Sequence, residues 1–292
     1  MNEVGIYLNC DKAESVPVAE KCIEYLKKKE IRVALLSSQL SEKNSEGITH
    51  YTTDVFFDHP DCIVVLGGDG TLLSVARRSC IHNMPLFGIN VGKLGFLTEG
   101  EASNYKTLLD NLVHGDFYIE ERMMLSCQIF HGNGKKEEYL ALNDVLLKNA
   151  GFRMMEVRAY VGKAVMDDFR ADGLIIATPT GSTAYSLAAG GPVVAPGTDI
   201  MIVNPICPHR LHDRAYIIGA DKTIRLKFPK SARDTLVSID GQTVIPIEGD
   251  DRVTIERAAH TTHLIRLNGI SFFDRLRKKL SDDALSDDDR RE

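Results

Sequence analysis

Cys62-Ile63-Val64-Val65-Leu66-Gly67-Gly68-Asp69-Gly70-Thr71-Leu72-Leu73 reads as an apolar strand, a glycine-rich turn around one carboxylate, and the start of a helix running to about Cys80. Glycine on each side of Asp69 allows positive φ and a close approach of backbone to a ligand. The helix that follows presents unpaired N–H groups and the positive end of its dipole. Such a turn holds phosphate without a lysine. It is not a P-loop, because the G-x-x-x-x-G-K-[ST] spacing is missing, and it lacks the last glycine of a dinucleotide fingerprint. A plainer reading stays open, in which Asp69 caps the helix and the glycines only make a tight turn.

Outward from this turn the first third of the chain alternates: Val4 to Leu8 as strand, Glu14 to Lys29 as helix, Arg32 to Leu36 as strand, then Cys62 to Leu66, a helix, and Pro85 to Asn90. This is the βαβ rhythm of a parallel sheet, whose ligand crevice lies at the carboxyl ends of the strands. Asp69 and the loop from Asn90 to Thr98 fall there. From about Met123 the texture changes to short strand-like runs: Met123 to Phe130, Tyr139 to Leu147, Val157 to Val161, Ile224 to Phe228, Leu236 to Ile239, Val253 to Ile255 and Leu264 to Leu267. The expected fold is an α/β domain with a parallel sheet plus a β-rich, sandwich-like second domain. A last amphipathic helix, Phe272 to Leu280, closes the chain, and no internal repeat relates the two domains.

A second glycine-rich block, Asp172-Gly173-Leu174-Ile175-Ile176-Ala177-Thr178-Pro179-Thr180-Gly181-Ser182-Thr183-Ala184-Tyr185, again runs from strand to hydroxylic turn to helix. Its hydroxyl side chains suit a surface that hydrogen-bonds sugars and amides, with Tyr185 as a flat face for a base. The alternative is an ST-turn with a capped helix and Tyr185 in the core. Asn143-Asp144 interrupts an otherwise apolar strand-like run and either faces solvent or serves a ligand.

Taken together, Gly67 to Thr71, Asn90-x-Gly92-x-x-Gly95-Phe96-Leu97-Thr98, Asn143-Asp144, Asp172 to Tyr185, Pro205-x-Cys207-Pro208-His209 and Asp240-Gly241-Gln242 resemble, in order, the motifs of bacterial NAD kinases. Diacylglycerol and sphingosine kinases and phosphofructokinases carry similar glycine turns. The Thr-Pro-Thr-Gly-Ser-Thr-Ala-Tyr block singles out NAD kinase. The resemblance implies transfer of a terminal phosphoryl group from ATP, or polyphosphate, to the 2′-hydroxyl of the adenosine ribose of NAD, giving NADP. It implies Asp69 as the group that takes the hydroxyl proton, Gly68, Gly70 and Thr71 at the donor phosphates, and Mg²⁺ or another divalent metal carried mainly on those phosphates. Asn143 and Asp144 would hold the adenosine end of NAD, and Thr183, Ala184 and Tyr185 would complete the adenine pocket. Phe96 would form an apolar wall and Lys93 a phosphate contact. Asp172 would face the nicotinamide half, with Arg170 near the pyrophosphate, reaching in from a neighbouring subunit, and Arg153 and Gln242 close to the substrate. The chain departs from the family pattern at Asp144, where Glu is usual, at Ala188, where Ser is usual, and at Ala215, where Pro is usual. The shorter Asp144 leaves room for a water-mediated contact, and Ala188 removes a hydrogen bond to adenine.

The resemblance also implies a discontinuous first domain, residues 1–121 plus 268–280, around a β-rich domain at 122–267, and a homodimer or homotetramer. Residues 281–292 carry six acids against two arginines and read as a disordered tail. A kinase of a lipid or sugar, or a silent NAD-binding sensor, are the competing readings. The first leaves the Thr178 to Tyr185 block without a role, and the retained Asp69 speaks against the second.

Composition agrees with an enzyme. With 292 residues, 43% hydrophobic and 26% charged, the chain can build proper cores, and a net charge of −6 argues against a nucleic-acid surface. No apolar stretch approaches the roughly 20 residues of a membrane helix, and Met1-Asn2-Glu3-Val4 runs into a strand pattern without a basic leader, so a cytoplasmic location is expected. The six cysteines show no C-x-x-C pair and mostly sit in apolar runs. Neither disulfides nor zinc are expected, and His209/His212 and His260/His263 lack a helical setting for a metal.

Overall fold

The computed structural model describes residues 1–10, 12–39, 47–92, 95–151, 153–210, 214–230 and 232–279. Lys93, His212 and the acidic segment 281–292 lie outside the described residues. The chain divides into two compact units, Met1–Glu121 with Thr262–Glu292, and Arg122–Thr261.

The first unit runs β1 (Glu3–Leu8), α1 (Ser15–Lys28), β2 (Arg32–Leu36), β3 (Ile48–Tyr51), α2 (Thr53–Phe56), β4 (Cys62–Leu66), α3 (Asp69–Ser79), β5 (Leu86–Asn90), β6 (Gly100–Glu101) and α4 (Tyr105–His114). The strands β3-β2-β1-β4-β5 lie side by side, all parallel. The apolar runs of β1, β2, β4 and β5 are buried along almost their whole length, as parallel strands covered on both faces require. Helix α1 shows why it forms: Ala19, Cys22, Ile23 and Leu26 recur at helical spacing and are buried, while Lys27 and Lys28 sit in the last turn, against the negative dipole end. Leu264 of the chain's last strand pairs in parallel with Leu86 of β5, and a helix over 272–279 follows it. The order places the ends of β4 and β5 together, and the glycine turn and the loop after Asn90 leave from those ends.

The second unit is antiparallel. Its strands are β7 (Phe117–Phe130, which enters from the first unit), β8 (Lys136–Ala141), β9 (Asp144–Asn149), β10 (Met155–Val161), β11 (Ala164–Ala171), β12 (Gly173–Ala177), β13 (Ile200–Ile206), β14 (Tyr216–Gly219), β15 (Ile224–Lys227), β16 (Thr235–Ile239), β17 (Thr243–Ile247) and β18 (Arg252–Leu267, which leaves to the first unit). One sheet has the order β14-β13-β12-β9-β16-β17. Opposite it run β11-β10-β15-β18 and the β7–β8 hairpin. Side chains of both groups, among them Leu125, Val145, Phe169, Ile176, Leu226 and Val237, form a single buried cluster. That is the sandwich expected from the short alternating runs.

Three local expectations are corrected. The runs Val253 to Ile255 and Leu264 to Leu267 belong to one strand of 16 residues. Exposed polar residues in its middle hide the continuity, although the backbone ladder persists. The run Leu140 to Leu147 is two strands, β8 ending at Ala141 and β9 starting at Asp144, which pair with β7 and with β12 and β16 respectively. Helix α3 starts at Asp69, inside the glycine turn rather than after it.

Candidate active site

In the first unit, Gly68 is the N-cap of α3 with φ −94° and ψ −173°, an extended conformation open to any residue, and neither Gly67 nor Gly70 has positive φ. The expected left-handed backbone around Asp69 is therefore absent. What the two flanking glycines supply is room: a Cβ added at Gly68 or Gly70 meets no described atom within 4 Å. Thr71 is buried, its side chain lying where a Cβ on Gly67 would be, and its hydroxyl accepts from Asn9 Nδ2 at 3.4 Å.

Asp69 does not cap its own helix. Its Oδ2 accepts from the Phe96 amide at 2.9 Å and its Oδ1 from the Leu97 amide at 3.1 Å. Gly95 is required there, because a Cβ on it would stand 2.0 Å from Asp69 Oδ1. Its amide donates to Thr98 Oγ1 at 3.2 Å. The loop after β5 thus grips the carboxylate, and half-buried Phe96 belongs to that grip. The glycine at 95 was legible as a motif position, but its contact with Asp69 was not.

In the second unit, the corner Leu142-Asn143-Asp144 joins strands of the two sheets and is bolted by Asp240. The Asp240 carboxylate accepts from the amides of Leu142 at 3.0 Å, Asn143 at 2.8 Å and Asp144 at 3.1 Å. Asp240 and Gly241 both have positive φ, 50° and 68°, in the three-residue turn between β16 and β17, whose third residue, Gln242, is exposed. Sequence reasoning quoted Asp240 within a motif but gave it no role, because an Asp-Gly dipeptide does not show the three amides it holds. Asp144 is 6% exposed, and burial, with the Asp240 carboxylate beside it, pushes its pKa up to about 7.

The block from Thr178 to Thr183 forms a 3₁₀ turn, Thr180–Thr183, followed by the short helix α5 (Tyr185–Ala188). Its hydroxyls are directed inward, not to an open surface. Thr178 donates to the Leu142 carbonyl at 2.6 Å, Ser182 donates to the Pro179 carbonyl at 2.6 Å, Thr183 donates to the Thr180 carbonyl at 3.2 Å, and Thr180 accepts from Arg122 at 3.1 Å. Gly181 lets this turn sit on the corner, since a Cβ there would fall 2.1 Å from the Asn143 carbonyl oxygen. Tyr185 is 47% exposed, so it is not a core residue, and Ala188 is exposed beside it. Thr183 and Ala184, just before Tyr185 in sequence, are half-buried. Buried Asn204 fixes α5 from below by donating to the Ser186 carbonyl at 3.0 Å.

Asp172 is exposed at the junction of β11 and β12, where the chain passes from one sheet to the other, and its amide donates to the Ile206 carbonyl at 3.0 Å. Arg170, also exposed, pairs across β10 and β11 with Glu156 at 3.0 Å. Arg153 is exposed and lines an open cavity with Asn149, Met154, Glu156, Pro229 and Arg233. Of the second-unit residues, the structure thus gathers Asn143, Asp144, Asp240 and the Thr178 to Thr183 turn by direct contacts.

Known proteins share this pattern. Residues 4–117 match the ATP-NAD kinase N-terminal domain and residues 142–267 the ATP-NAD kinase C-terminal domain. An NAD kinase of Heliobacterium modesticaldum is 39% identical over 284 residues, covering 96% of this chain and 99% of the relative. An NAD kinase of a Thermoanaerobacter species is 37% identical over 283 residues, covering 97% and 100%. Among solved structures, an Archaeoglobus fulgidus NAD kinase in complex with ATP has a TM-score of 0.75 at 27% identity, covering 96% of this chain and 99% of that one. Yeast NADH kinase complexed with NADH has a TM-score of 0.84 at 23% identity, covering 95% and 86%, a likeness of fold. Nothing in these likenesses favours a lipid or sugar kinase. With a glycine turn that holds its aspartate on a second loop and near full-length identity to its relatives, the chain belongs to the NAD kinase family.

Proposed function

We propose that this protein transfers the terminal phosphoryl group of ATP to the 2′-hydroxyl of the adenosine ribose of NAD, producing NADP. The observation that carries this reading is the Asp69 carboxylate, held by two backbone amides at the head of a helix whose flanking glycines leave open space. A loose phosphoryl-transfer transition state asks the site to align the acceptor and to neutralise charge, more than to make covalent bonds. Asp69 orients the 2′-hydroxyl and receives its proton late, as the new P–O bond forms. Gly68, Gly70 and Thr71, at the positive end of α3, lie along the donor phosphates.

The donor enters as a divalent-metal complex. Mg²⁺ rides on the donor phosphates as part of the substrate, where it neutralises their charge. Polyphosphate presents the same repeating anions and serves as an alternative donor. Asn143, Asp144, Thr183, Ala184 and Tyr185 hold the adenosine of NAD, with Phe96 as an apolar wall and Ala188 and Gln242 at the edge. Asp172 faces the nicotinamide half, with Arg153 nearby, and Arg170 serves the pyrophosphate of a neighbouring subunit in a homodimer or homotetramer. Among the described residues no helix is long and apolar enough to cross a membrane. A cytoplasmic location is a separate part of the proposal.

The decisive test compares wild type with Asp69→Asn in NADP formation from NAD, ATP and Mg²⁺, with NAD affinity measured in parallel. Turnover at least about 10²-fold lower in the variant, with NAD binding within a few-fold, is the expected result. A wild type that makes no NADP from either donor overturns the assignment.

A further inference from the structure

A buried ion cluster lies behind the loop that grips Asp69. The Arg266 side chain is 2% exposed and that of Glu99 fully buried, and they meet at 2.6 Å. Arg266 Nε also donates to Glu120 at 2.7 Å. Arg275, on the helix over 272–279, donates to Glu99 at 2.9 Å, and the Leu267 amide donates to the same carboxylate at 2.9 Å. Burial by itself would lower the Arg266 pKa, but Glu99 and Glu120 outweigh it and the guanidinium stays charged.

The remaining donors of both arginines go to one place. Arg266 donates to the Phe96 carbonyl at 3.4 Å and the Leu97 carbonyl at 3.1 Å, and Arg275 donates to the Thr98 carbonyl at 2.9 Å. The peptide unit joining Phe96 to Leu97 therefore has its carbonyl on Arg266 and its N–H on Asp69. A cation on a peptide carbonyl polarises the N–H of the same unit and strengthens the bond that N–H donates. Fold stability alone is a poor reason for such a cluster, because a buried ion group is often replaced by apolar side chains without loss. Its geometry has a more specific use.

We infer that Arg266 and Arg275 are positioning residues for the phosphoryl transfer: with Glu99 as their shared counter-ion, they clamp carbonyls 96 to 98 so that amides 96 and 97 hold the Asp69 carboxylate in its productive orientation. This rests on Asp69 as the acceptor of the 2′-hydroxyl proton. It makes the C-terminal helix part of the catalytic apparatus, although the Asp69 carboxylate is held by the Phe96 and Leu97 amides and not by that helix among the described residues.

The test is a double-mutant cycle. Arg275→Lys keeps the charge but loses the planar fork that spans Thr98 and Glu99. In folded protein, checked by circular dichroism and thermal unfolding, it is expected to lower kcat at least about tenfold while the KM values for NAD and ATP stay within about twofold. In an Asp69→Asn background the same substitution is expected to cost less than about twofold, because the carboxylate it positions is gone. Amide hydrogen exchange at Phe96 and Leu97 accelerates in the single variant. An unchanged kcat, or an equal loss in both backgrounds, overturns the inference. Should Arg275→Lys fail to fold, Glu120→Gln loosens Arg266 from its partly exposed side, with about a threefold fall in kcat expected, again absent in the Asp69→Asn background; no fall overturns the inference. Wild type that forms no NADP overturns the functional reading and this one together, whereas active wild type with unaffected variants sinks this one alone.

Discussion

Asp144 shows how burial gives a single carboxylate a second property. With Asp240 beside it in a nearly closed corner, its pKa rises to about 7. The unfolded chain ionises this group near its ordinary value of about 4, so between about pH 4 and 7 the native state binds more protons than the unfolded state. This group's contribution to stability therefore falls as pH rises through that window, and above about 7 the native state carries the full cost of a buried charge. Asp144→Asn removes the cost. Its thermal midpoint is expected to exceed that of wild type near pH 8 and to match it more closely near pH 4, and scanning calorimetry at the two pH values reads the difference. Equal differences at both would mean that the Asp144 pKa is not raised in the native state.

Between elements, close backbone approach does work that side-chain chemistry does not. The corner Leu142 to Asp144 and the turn Thr178 to Thr183 touch where Gly181 has no Cβ, and the Thr178 amide donates to the Asn143 carbonyl at 2.9 Å. A methyl group at Gly181 has no flexible neighbour to displace, since backbone stands 2.1 Å away. Gly181→Ala is expected to destabilise the protein by about 1–3 kcal/mol. It also moves Asn143 and Asp144 away from Thr183 and Tyr185, so NAD affinity by calorimetry should fall roughly tenfold, about 1.4 kcal/mol. Wild-type affinity in a measurably destabilised variant would show that the proposed adenosine contacts do not depend on this junction.

Across the molecule, each unit has its own core, and the cysteines report on both. Burial pushes the thiols of Cys22, Cys62 and Cys127 up to about 12 and that of Cys80 to about 11. Cys10 and Cys207 are exposed. A disulfide reagent at neutral pH is expected to titrate two of the six thiols quickly in native protein and the rest only after denaturation. A third fast thiol would reveal an opening of one core, and peptide mapping would identify which.

Much of this architecture was readable in the chain. Apolar runs of five residues separated by helical periods specify parallel strands, because period and length are local properties. The Gly-Gly-Asp-Gly-Thr turn, the hydroxylic block and their order were equally local, and they led to the family and to Asp69. What surrounds Asp69 was decided only by folding. Leu97 and Arg266 meet across 169 positions of sequence, and Thr98 and Arg275 across 177. Nothing near Arg266, in the run Leu264-Ile265-Arg266-Leu267, announces those partners. The same holds for Asp144, whose pKa depends on how much water the corner excludes, and for the hydroxyls of Thr178, Ser182 and Thr183, which turn toward backbone carbonyls. Periodicity and turn chemistry are set by neighbours along the chain, whereas desolvation and long-range hydrogen bonds exist only once distant segments pack together.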